Sequence, residues 1–186
     1  MHSNPLFQYF GLYGLTFGTL AIIFMLFKWH GNRSMTLSLH AASDPQALLL
    51  FGATSTITAL FIYPFFWWWF MPVLHLPVIF AWCISIAGVC QLLIGWIPDK
   101  PGSLGRAHNV LAFIAGSMII PITIMIGLSP VVSSILTYAS FIYLGISCMF
   151  IILYFTVRSI RKHSLIYQMI FYWGFFAIIL SAAYLR

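Results

Sequence analysis

Six apolar stretches, each long enough to cross a bilayer as a helix, occupy most of the 186 residues of this chain. A helix that crosses the hydrocarbon core needs about 20 mainly apolar residues. Only 5% of the side chains are charged, whereas a soluble domain carries about 25%. Since so few charges cannot cover a water-facing surface, the sequence predicts an all-α polytopic membrane protein, a bundle of six transmembrane helices.

Polar interruptions define the limits of the six predicted spans. We expect them at approximately residues 9–27, 46–70, 78–97, 108–127, 131–157 and 165–185, in a single domain that covers residues 1–186. No Lys or Arg precedes the first apolar run, and no small-residue cleavage site follows Phe27. We therefore interpret this run as a permanent span and not as a signal peptide.

Proline, glycine and tryptophan give further local predictions. Pro64 is expected to bend the outer end of span two, and Pro121 to kink span four. The three tryptophans at 67–69 are expected to form an interfacial belt. Residues 31–45 are predicted to form a polar loop. The prolines and glycines of residues 95–109 are predicted to exclude regular helix before His108.

Lysine and arginine residues are concentrated on one predicted side of the bundle. The connections after spans one, three and five carry Lys28, Arg33, Lys100, Arg106, Arg158, Arg161 and Lys162, and the opposite side carries only Arg186. Cytoplasmic loops are enriched in Lys and Arg. We therefore predict that this basic side is cytoplasmic, that both termini are extracytoplasmic, and that the chain is a multi-pass protein of the inner (plasma) membrane.

The net charge of +6 follows from these short loops and does not indicate nucleic-acid binding. It predicts membrane lipids as partners, with other membrane proteins or a second copy of the chain as alternatives.

All six histidines lie in predicted loops or at span ends, which argues against bis-histidine haem ligation inside the bilayer. Cys83, Cys90 and Cys148 lie inside apolar runs and are interpreted as packing residues. No cofactor is predicted.

The scarce polar side chains gather on the predicted cytoplasmic side. Asp44 followed by Pro45 is typical of a helix start, and Arg106 or Lys100 is suited to a lipid phosphate, helped by the backbone of the glycine-rich turn. The candidate ligand-binding residues are Ser38, His40, Asp44, Asp99, Arg106, His108 and Asn109. The alternative is that these residues cap helices and meet lipid headgroups without forming a site.

Three functions stay open from these residues. The leading hypothesis is a non-enzymatic protein that binds a lipid or a membrane partner at this polar face. The second is a membrane enzyme acting on a lipid or isoprenoid, in which His40, Asp44, Asp99 and His108 hold a metal or act as acid and base. The third is a small transporter or channel with a conduit lined by Thr54, Thr56, Thr58, Gln91 and Pro121, although no charged residue lies in the middle of a span.

The arrangement of these segments resembles a known family. Ser-Leu-His-Ala-Ala-Ser-Asp-Pro follows span one from Ser38 to Pro45, Gly-Trp-Ile-Pro-Asp follows span three from Gly95 to Asp99, and His108 opens span four. This layout is similar to that of the bacterial six-helix membrane proteins called domain of unknown function 998, which resemble the Frag/DRAM/Sfk family. The chain has His-Ala-Ala from His40 where that family has Glu-Leu-Gly. The resemblance implies a six-helix fold and no established reaction.

Overall fold

A computed structural model describes residues 3–29, 34–157 and 162–185. These ranges contain helices and no β-strand, and six of the helices are long and apolar enough to cross a membrane. Spans one to six are built on the helices Phe10–Lys28, Pro45–Phe65, Val78–Trp96, Ser103–Gly127, Ser134–Thr156 and Ser164–Tyr184. The prediction of an all-α, multi-pass membrane protein with six transmembrane helices is therefore confirmed.

Span two stays helical beyond Pro64, as its predicted length requires, and continues past its predicted end at residue 70 to Val73. The proline has no N–H to donate, and the helix passes through it into a π-helical segment, Phe66–Phe70, and then Met71–Val73. The wider turn changes which side chains face inward. Trp68 is 52% exposed, whereas Trp69 is only 4% exposed. The predicted interfacial belt is therefore wrong for Trp69, which is buried.

Span four begins earlier than predicted, at Ser103 and not at His108. The tight turn before it is made by Gly102, whose φ of 111° lies in the region that favours glycine. Gly105, which was expected to exclude helix, lies inside the helix. A Cβ atom at this position would be 2.0 Å from the carbonyl oxygen of Lys100. Glycine is needed there because the preceding loop folds closely over the helix.

The connection after span one, predicted as a loop, contains the short helix Leu37–Ala42. Its start is capped by the Thr36 hydroxyl, which accepts a hydrogen bond of 3.3 Å from the Leu39 N–H. Leu37 and Ala41 of the short helix pack with Met25 of span one and Phe51 of span two in a small buried cluster. The short helix therefore packs into the end of the bundle.

The larger core lies at the other end of the bundle, which we call the aromatic end. Its most deeply buried large side chains include Phe65, Phe70 and Phe80, each with an exposed fraction of 0%. Two bonds join the N-terminal segment to this end. The Asn4 N–H donates to the Trp68 carbonyl at 2.8 Å, and the Tyr184 hydroxyl donates to the Gln8 carbonyl at 2.6 Å.

The connections after spans one, three and five form the opposite end, which we call the polar end. Of the basic residues predicted there, Lys28, Lys100, Arg106 and Lys162 are described. The basic residues Arg33, Arg158 and Arg161 lie outside the described residues, as does Arg186 of the other side.

Candidate functional site

The candidate residues on the short helix are buried and bonded locally. Ser38 is 8% exposed and its hydroxyl lies 3.1 Å from the Thr36 hydroxyl. His40 is 2% exposed, and its Nδ1 lies 3.0 Å from the Thr36 carbonyl oxygen. Because a carbonyl oxygen can only accept a hydrogen bond, this contact assigns the proton to Nδ1. Both side chains thus hold the first turn of the short helix in place.

The short helix is also tied to span six. The Leu37 N–H donates to the Gln168 side-chain oxygen at 2.7 Å. An N–H in the first turn of a helix has no partner within that helix, so the Gln168 amide satisfies one of these groups from a distant part of the chain. Sequence analysis did not select Gln168, although an amide within an apolar span is a signal that could have identified it.

Asp44 acts as the N-cap of span two, as predicted. Its Oδ1 accepts hydrogen bonds from the Gln46 N–H at 2.7 Å and the Ala47 N–H at 3.2 Å, and Pro45 occupies the first helical turn. A negative carboxylate is stabilised at the start of a helix by the helix dipole. This oxygen is therefore engaged by the backbone of span two.

His108 fastens the connection between spans three and four. It is 2% exposed, and its Nδ1 lies 2.7 Å from the carbonyl oxygen of Ile97, just beyond the end of span three. The last carbonyls of a helix lack partners within the helix and need other donors. His108 supplies one for the residue that follows span three. Asp99 lies between these two residues in the chain and is partly exposed.

The exposed members of the candidate set are Arg106 and Asn109. Both lie in the first turns of span four, and Lys100 in the preceding loop is also exposed. These three side chains differ from His40 and His108, which point into the protein. The candidate set therefore contains buried side chains with local bonds and side chains that are partly or fully exposed. Ser38, His40 and His108 belong to the first group, and Asp44, Asp99, Arg106 and Asn109 to the second.

The four residues of the metal hypothesis do not form a metal site in the part of the chain that is described. No group of three or more His, Cys, Asp or Glu side chains in these ranges is placed to hold a metal ion. The bonds described above explain this separation, because Asp44 bonds to the start of span two and His108 to the end of span three.

The residues of the conduit hypothesis differ in their hydrogen bonds and in their exposure. The Thr56 hydroxyl donates to the Gly52 carbonyl at 2.9 Å and accepts from the Trp96 Nε1 at 3.1 Å. The Thr54 and Thr58 hydroxyl oxygens are buried without a hydrogen-bond partner among the described residues. Gln91, in contrast, is exposed on the outside of span three. Gln91 therefore does not share the buried surroundings of the Thr54 and Thr58 hydroxyls.

One described cation of the polar end contacts aromatic rings. The Nζ atom of Lys28 lies 4.5 Å from the ring centre of Trp29 and 5.7 Å from that of Phe24. Such cation–π contacts hold the head of a lysine beside the aromatic residues of a membrane interface.

Comparison of the chain with protein-family models, with curated proteins and with solved structures finds no match.

Proposed function

We propose that this chain is a non-enzymatic inner-membrane protein that binds the headgroups of anionic phospholipids at its polar end, which faces the cytoplasm. The observation that carries the proposal is the division of the candidate residues. Three of the four groups suited to catalysis, His40, His108 and Asp44, bond to the backbone, and the fourth, Asp99, is partly exposed. The cations suited to phosphate, Lys100 and Arg106, are exposed.

The exposed cations lie where a headgroup would be. Lys100 and Arg106 flank the turn that enters span four, and Lys162 precedes span six. Each basic residue near an anionic membrane surface contributes about 1 kcal/mol of attraction. Arg106 offers two parallel N–H donors to a phosphate, while Lys100 acts as a point charge. The Lys100 carbonyl lies against Gly105, the neighbour of Arg106, so the backbones of the two basic residues are held close together.

The orientation of the chain belongs to the same proposal and has its own test. The bias of Lys and Arg predicts that the polar end is cytoplasmic and the C-terminus extracytoplasmic. A reporter that works only outside the cytoplasm should therefore be active when it is fused after Arg186, and a reporter that works only in the cytoplasm should be inactive there. A fusion that proves cytoplasmic at this position would contradict the orientation.

The resemblance to domain of unknown function 998 likewise remains a proposal, supported by the polar segments beside spans one and three.

The proposed function is tested by removing a positive charge and, separately, a negative charge near the start of span four and comparing the lipid preference of the two variants. Purified protein is titrated with phosphatidylglycerol and with phosphatidylcholine of the same acyl chains, and the bound lipid is counted by native mass spectrometry. We expect Arg106→Gln to lower the preference for phosphatidylglycerol about fivefold, the effect of one lost positive charge near the surface. Asp99→Asn is the matched control, because it removes a negative charge from the loop that precedes span four and should raise that preference.

Two results would contradict headgroup binding at this loop. One is an unchanged lipid preference in both variants. The other is a change of the same direction in both, which would point to a disturbed loop and not to electrostatic attraction. Because the attraction is screened by ions, the wild-type preference should also weaken as the salt concentration rises.

A further inference from the structure

Spans five and six leave a groove of about 340 Å³ between them on the side of the bundle. Its walls are almost entirely apolar. They include Ala139, Ile142, Ile146 and Phe150 of span five and Ile170 and Gly174 of span six. The three isoleucines are each more than 40% exposed, so the groove opens on the surface that would face the membrane.

The groove has a fixed floor, formed by Tyr143. A Cβ atom at Gly174 would be 2.6 Å from the Tyr143 ring, so the ring lies directly on the backbone of span six. The Tyr143 hydroxyl donates a hydrogen bond of 2.8 Å to the carbonyl oxygen of Phe171. This bond satisfies the hydroxyl, which leaves mainly hydrocarbon facing the groove. The lining therefore suits an apolar occupant.

The size of the groove matches part of a lipid tail. The distance along span five from Ala139 to Phe150 is about 16 Å, at 1.5 Å per residue. This is roughly half the thickness of the hydrocarbon core. A water molecule occupies about 30 Å³ in the liquid, and a methylene group is of similar size. The groove thus has room for about ten methylene groups in a row.

The charge at one end of the groove indicates which lipid would place its tail there. Lys162 and His163 are exposed just before span six, whose first residue, Ser164, lies about 9 Å along the helix from Ile170. The connection between spans five and six, residues 157–163, contains no Asp or Glu. A lipid whose tail entered the groove would therefore bring its phosphate towards a positive charge in a connection that carries no acid.

We infer that the groove between spans five and six holds one acyl chain of an anionic phospholipid whose phosphate is bound by Lys162. The headgroup part of this inference rests on the proposed function, since both need a basic polar end at the headgroup level. The acyl-chain part depends only on the groove. Separate variants therefore test the two parts, and neither involves Arg106 or Asp99.

The acyl-chain part is tested by filling the groove from its exposed rim. Ile146→Trp on span five and Ile170→Trp on span six place a large ring at the mouth of the groove. Ile152→Trp and Ile166→Trp are the matched controls, because these residues are exposed on the same two spans and do not line the groove. Substitution at exposed positions leaves the core intact, so all four variants should fold.

The measurement is native mass spectrometry of each variant, purified and then titrated with phosphatidylglycerol. We expect Ile146→Trp and Ile170→Trp to bind one phosphatidylglycerol molecule fewer than the wild type, and both controls to bind the wild-type number. Wild-type binding in both groove variants would overturn the inference. A change from monomer to dimer in the groove variants, with unchanged lipid binding, would also overturn it and would identify the groove as a contact between copies.

The headgroup part is tested by Lys162→Gln. We expect this variant to lose about fivefold of its preference for phosphatidylglycerol over phosphatidylcholine, with unchanged binding of phosphatidylcholine. An unchanged preference would overturn the role of Lys162. If Arg106→Gln has no effect while the groove variants lose lipid, headgroup binding beside span four fails and the acyl-chain inference stands.

Discussion

Spans three and five are equally apolar but differ greatly in how they pack. Their mean hydropathies are 2.2 and 2.0, yet 39% of the span-three window is buried inside the protein, against 17% for span five. Gly88 and Gly95 of span three lie against side chains of span two. Among the described residues, no atom lies within 4 Å of a Cβ added at Gly145 of span five.

The difference shows that hydropathy alone does not set how closely these two spans pack. Span three contributes two glycines to its contact with span two, whereas span five is approached through Gly127 and Gly174 of its neighbours. Lipid tails are as apolar as leucine, so an apolar surface alone gives no reason to pack against protein and not against lipid. Gly88 admits the Tyr63 ring, and the Tyr63 hydroxyl lies 3.4 Å from the Ser85 carbonyl oxygen. Around Gly145 no such partner fills the space, and span five keeps a lipid-sized groove beside it.

The strongest test compares the same substitution in the two spans. A Cβ atom at Gly88 would be 1.7 Å from the Tyr63 hydroxyl, so we expect Gly88→Leu to lower the free energy of unfolding by about 3 kcal/mol through overpacking. Gly145→Leu should change it by less than about 0.5 kcal/mol. Unfolding in mixed micelles with increasing SDS, followed by circular dichroism, measures both. Similar losses in the two variants would show that span five is packed as tightly as span three.

A second test uses the native cysteines as reporters. Cys90 of span three is buried and Cys148 of span five is partly exposed. In chains that keep only one of them, with the other cysteines changed to Ala, we expect a thiol reagent to label Cys148 about tenfold faster, because span five opens locally at lower cost. Labelling followed by mass spectrometry in mild detergent gives the two rates. Faster labelling of Cys90 would reverse the comparison.

The smallest expected effects come from single hydrogen bonds between spans. Trp96→Phe removes the bond to Thr56, and Tyr143→Phe removes the bond to Phe171. Bonds of this kind between transmembrane helices average about 0.6 kcal/mol, so both variants should lose that amount in the same unfolding assay. Only Tyr143→Phe should increase the labelling of Cys148. An equal increase in Trp96→Phe would mean that the two interfaces are coupled.

Most of the fold follows from apolar run length, and the errors have local physical causes. The ends of span three were predicted to within one residue, because Pro77 and Pro98 interrupt the apolar run on both sides. The start of span four was missed by five residues, because Gly105 serves a close approach of the Lys100 carbonyl and not a turn. A contact of this kind depends on tertiary structure, which residue preferences do not contain.

The candidate site was predictable only where the interaction is local. Asp44 caps the helix that it directly precedes, so the adjacent Pro45 was enough to predict its role. The partner of His108 is a backbone carbonyl eleven residues earlier, and that of Leu37 is Gln168 in another span. Periodicity does not encode such pairs. The division between buried and exposed candidate residues therefore became visible only in the structure.

The bond between His108 and the Ile97 carbonyl has a consequence for biogenesis. It joins the end of one span to the start of the next, and these two spans form the most extensive helix pair in the described structure. All the groups it needs are present once residues 97–108 have been made. We therefore expect spans three and four to enter the bilayer as a helical hairpin that packs against span two and is then joined by spans five and six as they leave the translocon.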